Sequence, residues 1–160
     1  MARPIGQNKA EADNLRTNER KWSKPLMAAG WNVIPNIIIE KQEALGLDAL
    51  DMNIILHLSH YWWQPDNVPH PSVATIAKAI GVVPRTVQKR IKALEDLGMI
   101  RREERRFTQN GSVTNRYHFD GLIAAAKPFA EEKVREIATA TEAKKQRLAR
   151  KKPRLVVKND

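Results

Sequence analysis

Along residues 71–119 the apolar positions first repeat with a helical period and then alternate, which predicts two short helices followed by a hairpin. Val73, Ile76, Ala77 and Ile80 mark one face of the first helix. Ser72 is placed to cap its start through the hydroxyl, and Gly81 to end it in a left-handed conformation. Pro84 stands where a second helix can begin, because the N–H it lacks would be an orphan donor there anyway. Val87, Ile91, Leu94 and Leu97 give that helix its buried stripe and leave Arg85, Thr86, Gln88, Lys89 and Lys92 on the opposite face, until Gly98 stops it. In MIRREERRFTQNGSVTNRYHF the pair Asn110-Gly111 is a strong hairpin signal, since both residues accept positive φ. Val113, Asn115, Tyr117 and Phe119 alternate onto one face, with Tyr117 and Phe119 expected in the core.

The flanking patterns predict supporting elements. WNVIPNIIIE is a β-branched run broken by Pro35, read as a short edge strand or extended segment leading into a helical turn. The most apolar stretch is LDALDMNIILHLSHYWW, where Leu47, Leu50, Ile54, Leu58 and Tyr61 or Trp62 recur at helical spacing. Met52, Ile55 and Leu56 broaden that stripe, Asp48 is the expected N-cap, and Trp62 and Trp63 are expected to pack beneath the two-helix unit. The three prolines of QPDNVPHPS end this helix. Downstream, Asp120 starts a helix through Leu122, Ile123 and Ala126; Pro128 kinks it or begins another. Phe129, Ala130, Val134, Ile137, Ala138 and Thr141 continue the stripe, which fades after Ala143. Residues 1–24 have no sustained apolar period and read as a mobile arm, with Trp22 and Trp31 as anchors where order begins. The expected organisation is a flexible basic arm over 1–30, a domain over 31–120, a helical extension over 121–143 that packs on its own domain or on a second subunit, and a basic tail over 144–160.

Composition narrows the function classes. In 160 residues, 28 Lys and Arg against 18 Asp and Glu give a formal net charge of +10, which favours a polyanionic partner. The absence of cysteine excludes disulfides, thiolate metal sites and a cysteine nucleophile. The N-terminus has no apolar signal-like region and no apolar run approaches the length of a membrane span, so a cytoplasmic, nucleoid-associated protein with no membrane partner is expected. His57 and His60 lie three apart with His70 nearby, but the local carboxylates Asp51 and Asp66 are not at a metal-binding spacing. No nucleophile with its base and no phosphate loop is visible, so neither an enzyme, a cofactor nor a small-molecule substrate is expected.

What remains is nucleic-acid chemistry. At the start of the second helix, Arg85 has the fork to grip guanine O6 and N7, and Gln88 the amide to pair with adenine N6 and N7. Thr86 shares that end, while Lys89 and Lys92 suit phosphates. In the hairpin, Arg105 and Arg106 are the expected contacts near the tip, with Asn110 and Arg116, tempered by Glu103 and Glu104. Lys144, Lys145, Arg147, Arg150, Lys151 and Lys152 add phosphate attraction without sequence preference.

Ile76-Ala77 through Gly81, and Thr86-Val87 to Gly98-Met99-Ile100, resemble the winged helix-turn-helix regulators, including MarR-like proteins. More narrowly, WNVIPN, DMNIILHLSHYWW, TVQKRIKALEDLGMIRR, NGSVTNRYHFDGLI and KPFAEE look like a bacterial family of helix-turn-helix domain-containing proteins, over about residues 31–132. The resemblance implies a mainly α fold with a small β-wing and a C-terminal helical extension. It also implies a sequence-specific double-stranded DNA binder, a homodimer acting as a prokaryotic transcriptional regulator; the alternative is a plasmid or phage replication initiator or partition protein on origin repeats. Where such relatives carry Ser or a similar cap, this chain has Val83, so the recognition helix lacks a side-chain cap typically worth ~1 kcal/mol.

Overall fold

A computed structural model of the protein describes residues 8–107 and 111–150. In chain order the elements are α1 (Asn8–Trp22), α2 (Lys24–Ala28), α3 (Asn36–Glu40), α4 (Ala49–His60), α5 (Val73–Ile80), α6 (Pro84–Asp96), β1 (Arg101–Phe107), β2 (Gly111–His118) and α7 (Asp120–Arg150). The result is a mostly helical protein with one two-stranded antiparallel sheet, the winged helix-turn-helix arrangement plus a C-terminal helix.

α4 is the central support. Asp48 caps it by accepting from the backbone N–H groups of Leu50 and Asp51 at 2.9 and 2.8 Å, and Asp51 Oδ2 accepts from Asp48 N at 3.1 Å, closing a capping box. Ile54, Ile55 and Leu58 are fully buried against Ile76 and Ala77 of α5 and Val87, Ile91 and Leu94 of α6. Tyr117 of β2, Phe119 just after it, and Leu122 and Ala126 of α7 complete the core. Tyr117 N donates to Pro69 O at 2.9 Å, so the proline loop pins the base of the hairpin. The sheet pairs Arg101 with His118 and Arg102 with Tyr117, and its register shifts between Glu103 and Arg105.

Several elements differ from the pattern-based expectation. Residues 31–35 form no strand, and helix begins directly after Pro35. Leu56 faces outward, and Leu97 is exposed because Gly98, at φ +70°, turns the chain so that Ile100 fills the core instead. Trp62 stacks on Phe119 at 5.5 Å, but Trp63, Trp22 and Trp31 lie largely exposed rather than anchoring the fold. The arm contains α1 because the stretch from Asn8 to Trp22 holds neither Gly nor Pro and is rich in Ala, Glu, Arg and Lys, so local propensity forms helix without a core. The same propensity carries α7 through Pro128, which removes one intrahelical bond without ending the helix, and onward through the first part of the expected tail.

Among the described residues, the ties on α7 lie in its first half. Beyond Leu122 and Ala126, Lys41 sits over the Phe129 ring at 5.7 Å and Lys133 pairs with Glu40 of α3. After Lys133 every described side chain of α7 is exposed.

Candidate nucleic-acid interface

The α5–α6 corner sets the geometry of the site. Ser72 Oγ accepts from Thr75 N at 3.0 Å, and Gly81 adopts φ +82°, donating its N–H to Ala77 O at 2.9 Å. Val83 makes no side-chain cap to α6; Thr86 N reaches the Val83 carbonyl at 2.9 Å, and Pro84 removes one donor that would otherwise need a partner.

Burying Val87, Ile91 and Leu94 turns the other face of α6 to solvent. Arg85, Gln88, Lys89 and Lys92 there line one shallow depression that Asp96 closes at the far end. Lys92 Nζ is paired with Asp96 Oδ1 at 3.0 Å, so Arg85, Gln88 and Lys89 are the groups presented at the helix N-terminal half. Thr86 is half-buried on the edge of this face.

Arg90, which the opposite-face pattern leaves out, holds α6 from behind. Its guanidinium reaches Asp48 Oδ2 at 2.6 Å and lies 3.8 Å from Asp51 Oδ1. Asp51 is buried, and its Oδ1 has no hydrogen-bond partner among the described residues. Burial pushes the Asp51 carboxyl up from its ordinary range, whereas the Asp51 N–H, aided by Arg90, holds Asp48 below it. Arg90 therefore locks α6 onto the N-terminus of α4. The one sequence signal for it is position: Arg90 lies three residues after Val87 and next to Ile91, at the border of the buried stripe.

The wing cations are less available than their number implies. Arg105 lies half-buried along the sheet, its Nε donating to Thr114 O at 2.8 Å and its Nη2 to Thr114 Oγ1 at 3.2 Å. Arg116 Nη1 donates to Glu103 Oε1 at 3.2 Å, and His118 Nε2 is 2.9 Å from Glu103 Oε2; the His118 bond is the main reason the Glu103 carboxyl is held below its ordinary range. Arg102 joins Glu95 of α6 at 3.3 Å and Arg101 joins Asp120 of α7 at 3.5 Å, strapping the wing to both helices. Arg106 lies in β1 opposite Ser112. Asn110, Lys151 and Lys152 lie outside the described residues; Lys144, Lys145, Arg147 and Arg150 are exposed on α7. His60 packs edge-on against Tyr61 and Trp63, and among the described residues no group of three or more His, Asp or Glu is placed to hold a metal.

Residues 45–100 match the family model of a helix-turn-helix domain. That span runs from the end of the α3 turn through α4, α5 and α6 to the foot of the wing, and it contains every residue of the α6 face. The crystal structure of the N-terminal domain of DnaD protein from Geobacillus kaustophilus HTA426 shares the fold, with a TM-score of 0.52 over 74% of this chain and 96% of that chain, at 16% identity. No curated protein matches the chain. Among the described residues no helix is long and apolar enough to cross a membrane.

Proposed function

We propose that the protein is a sequence-specific double-stranded DNA binder that lays the N-terminal half of α6 in the major groove. The observation that carries this reading is the exposed face formed by Arg85, Gln88 and Lys89, on a helix fixed from behind by Val87, Ile91, Leu94 and the Arg90 clamp. Arg85 and Gln88 have the donor geometry for base edges, and Lys89 with the α7 cations supplies phosphate contacts. Arg85→Ala is expected to weaken binding to the preferred site by about ten- to a hundredfold and to broaden the base preference at one position, as loss of a bidentate pair predicts. Binding-site selection on wild type and variant tests it; an unchanged preference removes Arg85 from the reading.

The wing acts on the backbone. Arg105→Ala combined with Arg106→Ala is expected to lower affinity equally for all sequences and to reduce the salt slope by about one per lost phosphate contact. A slope equal to wild type would mean that the Arg105–Thr114 brace keeps that side chain in the sheet when DNA is bound.

The protein reads its site as a homodimer, with two α6 helices about 34 Å apart on a palindromic or repeated site. Val134 and Ile137, exposed on α7 beyond its last tether, support pairing through that helix. A role as a prokaryotic transcriptional regulator, in the manner of the MarR-like proteins it resembles, predicts footprints that overlap promoters. Tandem footprints on origin repeats would instead make it a replication initiator or partition protein of a mobile element.

A further inference from the structure

The protein exposes a large amount of aromatic surface on Trp22 of the arm and on Trp31 and Trp63 at the end of α4. Trp22 is 65% exposed, Trp31 52% and Trp63 62%. Trp31, Val33, Trp62 and Trp63, with His60, wall a depression of about 430 Å³ floored by Asn32 and Ser59. Its polar floor is already satisfied: Asn32 Nδ2 donates to Ser59 Oγ at 2.7 Å and to Leu56 O at 3.4 Å, and Asn32 Oδ1 accepts from Val33 N at 2.9 Å. Among the described residues no carboxylate, lysine or arginine lines it. Such a cavity takes an apolar or aromatic occupant and offers a phosphate nothing.

The arm supplies the complementary half. α1 packs mainly against α2, whose Met27 is buried, while Leu15, Trp22 and Leu26 are exposed. Leu15 and Trp22 are seven residues apart and so share one face of α1. A helix of this length is marginal in water without a surface to pack on. Ser23, at φ +90°, turns the chain between the two helices and sets the angle at which that face is offered. Among the described residues of a single chain, nothing covers Leu15, Trp22 or the cavity.

We propose that the arm formed by α1 and α2 of one copy docks on the Trp31–Trp63 cavity of a second copy, reciprocally about a two-fold axis. Each copy then contributes both a knob and a hole, which a closed isologous contact requires. Covered completely, Trp22, Trp31 and Trp63 with Leu26 and Val33 would bury on the order of 600 Å² per copy, about 1,200 Å² in all, the lower limit for stable specific interfaces. The contact rests on the dimeric reading above only for its consequence on DNA, where it would fix the spacing of the two α6 helices. It is independent of α7.

Because the chain has no cysteine, the contact can be tested by directed cross-linking without DNA. A full-length chain carrying Leu26→Cys, mixed under oxidising conditions with one carrying Val33→Cys, is expected to give a disulfide-linked heterodimer in excess of both homodimers. In sedimentation, Trp63→Ala and Trp22→Ala should each raise the dimer dissociation constant at least about tenfold, and the double variant by less than the product, as residues of one contact do. Since all these side chains are exposed, the melting temperature of the monomer should not move. A missing heterodimer, or dissociation constants equal to wild type, overturns the proposal. So does quenching of tryptophan emission by oligo(dT) that Trp63→Ala abolishes, because the cavity would then be a base-stacking surface. Failure of the DNA reading shows separately, as loss of site preference with the cross-link intact.

Discussion

Gly121→Ala is expected to destabilise the protein by at least about 3 kcal/mol, a loss of roughly 6–12 °C in melting temperature for a chain of this size. Gly121 lies in the first turn of α7, where alanine's better helix propensity would by itself favour the variant by about 1 kcal/mol. Packing decides the sign against it. A Cβ at Gly121 would stand 1.7 Å from Gly98 O and 2.9 Å from Gly98 C, which are backbone atoms of the turn that ends α6. That turn cannot retreat, because Gly98 sits at φ +70° and Met99 O accepts the Leu122 N–H at 2.8 Å. Relief of the clash must move α7 off the core, drawing Leu122 and Ala126 with it, or distort the end of α6. Thermal or urea unfolding measures the loss. A melting temperature within about 2 °C of wild type would show that α7 does not pack on this turn.

Arg90→Ala is expected to cost about 2 kcal/mol of stability and to weaken DNA binding without touching DNA. The Asp48 bridge is half-exposed and worth at most about 1 kcal/mol. The larger part comes from Asp51, whose buried carboxylate loses its nearby cation and keeps an unbonded oxygen. Urea unfolding should show the cost shrinking when Arg90→Ala is made in an Asp51→Asn background, since the variant then strands no charge. In binding assays the dissociation constant should rise while the salt slope stays at the wild-type value, because no phosphate contact is removed. A lowered slope would make Arg90 a backbone contact, and equal costs in the two backgrounds would remove Asp51 from the clamp.

The α6 face and the core beneath it were readable from the sequence because both follow from short-range rules. Gly81 ends a helix for lack of a Cβ, Pro84 starts one for lack of an N–H, and Val87, Ile91 and Leu94 can be buried together only if Arg85, Gln88 and Lys89 point outward. Ser72, Asp48 and Gly98 acted where the local chemistry placed them. α1 and the turns of α7 beyond Ala143 were harder to read, since neither shows a sustained apolar stripe in the sequence and both stand on propensity.

The sequence by itself thus determined the two-helix corner, the hairpin and the set of side chains exposed on α6, since each depends on residues within a turn or two of one another. Tertiary structure alone decided which charged groups are free. Arg105 and Arg116 are absorbed by Thr114 and Glu103 across the sheet, and Arg90 is drawn to carboxylates about forty residues earlier in the chain. It also decided which tryptophans meet water. Trp62 stacks on Phe119, a residue far along the chain, and is 38% exposed, while Trp63, its neighbour in sequence, meets only the edge of His60 and is 62% exposed; composition cannot separate two adjacent indoles that a helix end sends in different directions.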